Sequence, residues 1–276
     1  MIFGITGNPK KEGIERILSS VLKYLAPDET IVWEGLKGKI NSPENFKFDS
    51  ETSIGLLADV IITIGGDGTF LRTARIYRMK PIMGINVGTF GFLTTYNQDN
   101  LELGLKNLLS GNWKSEERTT LKALLEGKTI MALNDITINV TGSSRMLSFD
   151  VKVNGQNLFD FRGDGLIVST PTGSTAYNLS AGGPILYPTM EAFVITPICP
   201  HKLSLRPVVV PSESQIEVRV SSRTEDMILS ADGQEIVSLK SETSVFLTRN
   251  DFNVKIVKTP DLPEYFEILK KKLYWG

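Results

Sequence analysis

The chain has 276 residues, 41% of them hydrophobic, with 30 Lys and Arg against 31 Asp and Glu for a formal net charge of −1. That length admits one or two domains with a large core, which excludes wholesale disorder, and the charge balance lacks the basic excess of a general nucleic-acid binder. No apolar run approaches a membrane span, the single cysteine (Cys199) excludes an internal disulfide, and the single histidine (His201) excludes a histidine-based metal cluster.

Residues 1–6 lack the charged-then-apolar layout of a signal peptide, so a soluble, cytosolic globular protein is expected. Residues 2–6 form a short apolar run that ends in the turn cluster Gly7-Asn8-Pro9. Ile14, Ile17, Leu18, Val21, Leu22 and Leu25 then recur at helical spacing. Residues 35–53, rich in Gly, Asn, Ser and Pro, read as a long connection. Residues 60–64 are an apolar, β-branched run of the kind buried in a parallel sheet. They lead into Gly65-Gly66-Asp67-Gly68-Thr69, a helix to about residue 78, and a strand at 82–85. Alternating β and α elements imply a parallel sheet covered by helices. A helix at 100–109 follows, with Leu101, Leu105, Leu108 and Leu109 on one face.

After Trp113 the texture changes. Ile136, Ile138 and Val140 alternate with polar residues, as do Leu147, Phe149, Val151 and Val153, then Ile216, Val218 and Val220. Period two punctuated by Gly, Asn and Ser signals antiparallel strands, and the pattern runs on through 245–247 and 254–256. Leu262, Phe266, Leu269 and Leu273 return to helical spacing. Two domains are expected: an α/β domain of residues 1–98 joined by about 259–276, and a β-rich domain of 99–258.

The loop at 65–69 matches neither the Walker phosphate loop nor the dinucleotide fingerprint. Its glycines let backbone N–H groups approach an anion, and the start of a helix adds favourable charge. A carboxylate repels phosphate, so Asp67 makes chemical sense as a group that handles a hydroxyl beside the phosphate. Attack on a terminal phosphoryl group needs a positioned alcohol, an acceptor for its proton and a cation. Arg72, five residues on, is a candidate cation. The same residues also suit a plain strand-to-helix turn in which Asp67 caps the helix.

A second cluster spans 162–184, where Ser169, Thr170, Thr172, Ser174 and Thr175 accompany Gly173 and Gly182-Gly183. Hydroxyls and bare backbone suit a ligand cradle, with Tyr177 for stacking, and they equally suit a loop-rich crossing between sheets. Asn134-Asp135, just before the strand at 136–140, pairs an amide with a carboxylate that together can read an adenine edge and a ribose hydroxyl. Cys199 and His201 read as structural.

Together these segments resemble the NAD kinase family. The Gly-Gly-Asp-Gly-Thr loop alone is shared with diacylglycerol and sphingosine kinases and, nearly, with phosphofructokinases. The discriminating match is Thr170-Pro171-Thr172-Gly173-Ser174-Thr175-Ala176-Tyr177, continuing through Ser180-Ala181-Gly182-Gly183-Pro184. It is supported by Gly84-Ile85-Asn86 with Gly91-Phe92-Leu93, by Asn134-Asp135, and by residues 196–201 with Arg206-Pro207. The resemblance implies a Rossmann-like α/β domain, a C-terminal β-sandwich and a closing helix that packs back on the first domain.

It also implies roles. Asp67 matches the base that takes the proton from the 2′-hydroxyl of the adenosine ribose, with Gly66, Gly68 and Thr69 against the dinucleotide and Arg72 on the phosphate side. Phe92 borders the adenine, and Asn134 with Asp135 holds the adenine edge and ribose hydroxyls. Arg145 matches a basic ligand position, and Arg162 and Asp164 lie near the nicotinamide. Thr175, Ala176, Tyr177, Asn178, Leu179 and Ser180 form the cradle, joined by Gln234. NAD and ATP or polyphosphate are the implied substrates, with a divalent metal, Mg²⁺ foremost, to which no residue is assigned as ligand. A cytoplasmic homodimer or homotetramer without nucleic-acid or membrane partners is implied too. Asp135 stands where many members have glutamate, Phe90 replaces a common leucine, and Thr95 stands where an acidic residue is usual. Two rivals remain: a lipid-type kinase, which would carry a Gly-Thr-Gly-Asn-Asp segment that this chain lacks, and a non-catalytic NAD(P) sensor.

Overall fold

The computed structural model of the chain describes residues 1–41, 43–89, 91–141, 146–222 and 227–275. They divide into two compact units, Met1–Glu117 with Val254–Gly276, and Arg118–Asn253. In chain order the first unit holds β1 (Phe3–Gly7), α1 (Ile14–Leu22), β2 (Thr30–Trp33), β3 (Lys47–Asp49), α2 (Glu51–Leu57), β4 (Val60–Gly65), α3 (Asp67–Ile76), β5 (Pro81–Asn86), α4 (Leu101–Leu109) and β6 (Lys114–Arg118). The second holds β7 (Leu121–Leu125), β8 (Lys128–Ala132), β9 (Asp135–Val140), β10 (Leu147–Val153), β11 (Gln156–Gly163), β12 (Gly165–Ser169), the one-turn helix α5 (Tyr177–Ser180), β13 (Ala192–Ile198), β14 (Val208–Pro211), β15 (Ile216–Ser221), β16 (Met227–Ala231), β17 (Glu235–Leu239) and β18 (Thr243–Arg249). The chain then returns to the first unit with β19 (Val254–Lys258) and α6 (Tyr265–Leu273).

The first unit is built on a seven-stranded sheet in the order β3-β2-β1-β4-β5-β19-β6. Strands β3 through β19 in that order pair in parallel, with Phe3 opposite Val60 and Ile61 opposite Ile82. Every residue of β1 and β4 is buried, as a central parallel strand covered by helices on both faces requires. Helix α1 lays Ile14, Ile17, Leu18 and Val21 into the same core as Ile62, Ile64, Met83 and Ile85. Each such fully buried aliphatic side chain contributes roughly 1.5–3 kcal/mol.

The structure departs from the sequence reading at four places. The long connection at 35–53 contains β3 and the start of α2, and Ser50 caps that helix by accepting the Ser53 N–H at 3.2 Å. Helix α4 puts Leu101, Leu105 and Leu108 into the first unit's core, so that unit runs past residue 98 to Glu117. Strand β19 pairs in parallel with β5 instead of joining the antiparallel strands, because a short alternating run does not encode its partner. In α6 the buried pair is Ile268 and Leu269, while Phe266 is 63% exposed.

The second unit packs two six-stranded antiparallel sheets as a sandwich, in the orders β11-β10-β15-β18-β7-β8 and β14-β13-β12-β9-β16-β17. Alternation delivers Phe149, Val151, Val218, Val220, Val245 and Leu247 from one sheet into a common core with Ile136, Ile138, Leu166, Val168, Phe193 and Leu229 from the other. Register keeps these residues in line: Phe149 faces Val220, and Val218 faces Val245. Strand β12 is buried throughout, and Leu186, Ala192 and Val194 form a small separate cluster beyond the main core.

Candidate active site

In the first unit the strand order reverses between β1 and β4, the crevice position where open parallel sheets bind ligands at their C-terminal strand ends. There β4 ends at Gly65 and α3 begins at Asp67, with Gly66 as its N-cap. The Gly66 carbonyl accepts the N–H groups of Thr69 and Phe70 at 2.9 and 3.0 Å, and the Thr69 hydroxyl accepts the Gly66 N–H at 3.5 Å.

Asp67 is therefore not a helix cap, contrary to the simpler reading of the loop. Its carboxylate reaches across to the loop after β5. Oδ1 accepts the N–H groups of Leu93 and Thr94 at 3.1 and 3.0 Å and the Thr94 hydroxyl at 2.8 Å. Among the described residues Oδ2 accepts only the Phe92 N–H, at 2.9 Å. The Thr94 hydroxyl in turn accepts from the Asn86 side-chain amide at 2.7 Å, so buried Asn86 and Thr94 form a relay to the partly exposed Asp67. Gly91 is required beside it, because a Cβ there would land on the Asp67 carboxylate. Tyr96 anchors the far end of this loop: its hydroxyl meets Thr259 Oγ1 at 2.9 Å, and burial pushes its phenol up to about 12. Asn86 and Thr94 were not singled out from sequence; the only signal was that Asn86 belongs to the Gly-Ile-Asn stretch.

Gly66 and Thr69 are partly exposed and Gly68 is exposed, so the face of this turn is open to a ligand. Phe92 is half-buried, with its N–H committed to Asp67. Arg72 points elsewhere. Its guanidinium grips Glu51 of α2 at 2.7 and 2.9 Å and lies 5.4 Å from the Trp33 ring centroid. Phe90 lies outside the described residues.

In the second unit Asn134 and Asp135 open β9. The Asn134 carbonyl accepts the Thr170 N–H at 2.9 Å, and the Thr170 hydroxyl donates to the Leu133 carbonyl. Gly173 packs so closely on the Asn134 backbone that no Cβ fits there. The threonines and glycine of the 170–175 segment thus bind it to the Asn134-Asp135 corner. Neither the Asn134 amide nor the Asp135 carboxyl has a hydrogen-bond partner among the described residues. Burial, and then the charge of Asp232, push the Asp135 carboxyl up to about 7.

The cradle residues separate by burial. Thr175, Ala176 and Leu179 are half-buried, whereas Tyr177 and Ser180 are exposed. Asn178 is fully buried and holds the loop from within: its amide nitrogen donates to the carbonyls of Ser174 and Pro184, and its oxygen accepts the Thr196 hydroxyl at 2.7 Å. Its side chain is an internal brace, a role that composition alone does not distinguish from a ligand contact. Gln234 is exposed in the hairpin between β16 and β17. Arg162 and Asp164 lie beyond the opposite end of β12 from Thr170, roughly 20 Å along the strand. There His201 N–H donates to the Arg162 carbonyl, and the Asp164 carboxylate raises the Cys199 thiol, which disfavours it as a nucleophile. Arg145 lies outside the described residues.

Two family models match the chain. One described as the ATP-NAD kinase N-terminal domain matches residues 3–113, and one described as the ATP-NAD kinase C-terminal domain matches 133–259. The NAD kinase of Magnetococcus marinus is 40% identical over 254 residues, covering 90% of this chain and 84% of its own length. That of Clostridium beijerinckii is 37% identical over 278 residues, covering 98% and 94%. Among solved structures, yeast NADH kinase complexed with NADH aligns with a TM-score of 0.90 at 27% identity, over 100% of this chain and 88% of that one. An Archaeoglobus fulgidus NAD kinase in complex with ATP aligns with a TM-score of 0.79 at 29% identity, over 99% of each. The chain belongs to the NAD kinase family.

Proposed function

We infer that the chain makes NADP from NAD, moving the terminal phosphoryl group of ATP, another triphosphate or polyphosphate to the 2′-hydroxyl of the adenosine ribose. The observation that carries the residue-level reading is the state of Asp67. Among the described residues three of its four hydrogen bonds fall on Oδ1, which leaves Oδ2, with one donor, the oxygen able to take a further proton. In the step, the ribose O–H bond breaks and its proton goes to Asp67 Oδ2 as the oxygen bonds to the terminal phosphorus. The bond from that phosphorus to its bridging oxygen breaks, and the shortened donor leaves. A carboxylate is a weak base at neutral pH, so most of the acceleration is assigned to positioning and charge stabilisation.

Among the described residues no three His, Cys, Asp or Glu side chains gather to hold a metal ion. Mg²⁺ usually rides on phosphate oxygens and water, and Asp67 is the carboxylate in the loop. Such an ion supplies charge neutralisation at the transferring group. Asn134, Asp135 and the exposed face of 175–180 are the chain's offering to the dinucleotide, and Gly66, Gly68 and Thr69 its offering to phosphate. Work as a cytoplasmic homodimer or homotetramer rests on the family resemblance; no helix among the described residues is long and apolar enough to cross a membrane.

The carboxylate of Asp67 also has a structural task, so its presence alone does not separate an enzyme from a sensor. The test is NADP formation by purified protein with Mg²⁺, ATP and polyphosphate run separately. Turnover with either donor supports the reading, and tight NAD binding with no turnover overturns it.

A further inference from the structure

Asp135 and Asp232 are two carboxyl groups at one corner of the sandwich, and the structure treats them unequally. Asp232 sits in the hairpin after β16 with a left-handed φ of 54°. Its Oδ1 accepts the N–H groups of Asn134 and Asp135 at 2.7 and 3.3 Å, and its Oδ2 accepts the Leu133 N–H at 3.1 Å. Its own N–H donates to the Asp135 carbonyl at 2.9 Å. Three backbone donors favour the charged form of Asp232. Asp135 is only 5% exposed, and its carboxyl has no hydrogen-bond partner among the described residues. Across on β12 it faces Ser169, whose hydroxyl donates to the Thr170 and Asn134 carbonyls, and the β16 side presents Ala231 before Asp232. The charge acting on it is that of Asp232. Of two neighbouring carboxyl groups, one buried and without donors and the other partly exposed with three N–H donors, the second keeps the charge.

We propose that Asp135 meets the dinucleotide as a protonated acid, donating its O–H to a purine ring nitrogen or a ribose oxygen, while Asp232 is the positioning residue that sets the 133–135 segment and keeps the proton on Asp135. This rests on the reading of the corner as part of the NAD site, and it reverses the acceptor role that a carboxylate there suggests. A donor at this point rewards an acceptor atom on the ligand and gives nothing to an exocyclic amine. The upward shift of the Asp135 carboxyl to about 7 accords with it.

The test has two arms. In protein carrying ¹³C-labelled aspartate, with the signal assigned through Asp135→Asn, the Asp135 carboxyl is titrated without ligand. A midpoint near 7 is expected, moving down in Asp232→Asn; a carboxyl ionised throughout the range from about pH 5.5 upward overturns the proposal. In calorimetry with NAD, the wild-type affinity is expected to fall about tenfold between about pH 6 and about pH 8, and Asp135→Asn, which keeps a donor and cannot ionise, is expected to lose that dependence. A flat wild-type profile with Asp135→Asn at least about tenfold weaker at low pH also overturns it. If NAD does not bind at all, the site reading fails instead, and the carboxyl titration still decides where the proton lies.

Discussion

The relay behind Asp67 invites one sharp perturbation, Thr94→Val. Valine keeps the shape and the stiff χ1 of threonine but removes the hydroxyl. Two hydrogen bonds go with it: the 2.8 Å donation to Asp67 Oδ1 and the 2.7 Å acceptance from the Asn86 amide. A bond to a charged group is worth about 1.5–3 kcal/mol, and a buried amide left unpaired costs about 1–3 kcal/mol. If only the first acts on the transition state, through misplacement of Oδ2, kcat falls roughly 10- to 100-fold. The KM for NAD should change little, because Thr94 is fully buried in the described structure. Thr94→Ser restores both bonds and should recover most of the rate, while a loss of packing alone would not be repaired by it. The assay is steady-state NADP formation, with thermal unfolding followed in parallel. Wild-type kcat in Thr94→Val, or equal loss in Val and Ser variants, would refute the positioning account.

Three further outcomes follow from the same geometry. Gly91→Ala should lower kcat at least as far as Thr94→Val, since its Cβ displaces the Asp67 carboxylate itself, and kinetics against unfolding temperature will show it. Arg72→Ala should cost about 1–3 kcal/mol of stability through the lost Glu51 pair and Trp33 contact, discounted for partial exposure, with KM for ATP little changed; a tenfold rise in KM would contradict this placement. Asp135→Asn should become more stable than wild type as pH rises. The folded state holds a proton up to about 7 that the unfolded chain releases near 3.8, so wild type loses stability between those values and the variant does not. Melting temperatures at pH 5 and pH 8 read the difference, which is bounded by about 4 kcal/mol.

The parts of the fold legible in the sequence are those with a strong local signature. The buried β-branched run at β4, the glycine loop after it and the alternating strands of the sandwich all announce themselves by periodicity and composition. Strands β2 and β3 do not, because four and three residues cannot establish a period and Lys47 and Asp49 suit an edge as well as a loop. The membership of β19 was hidden for another reason: pairing with β5 joins residues more than 170 positions apart. At the site, the residue types were readable but their partners were not. Asp67 is gripped mostly by backbone N–H groups of 92–94, which carry no side-chain signature. Asn178 looked like a ligand contact for the same reason that it makes a good brace, an amide amid small residues. Asp232 carries no separate signal in the sequence, because an Asp-Gly pair in a hairpin is sufficiently explained by the turn.

The most direct test of the central claim compares wild type with Asp67→Asn in NADP formation, with NAD binding by calorimetry and unfolding temperature measured on the same samples. The account predicts turnover in wild type, its loss in the variant by a factor of at least about a hundred, and NAD binding retained in both. Substantial turnover by a folded Asp67→Asn protein would contradict Asp67 as the proton acceptor.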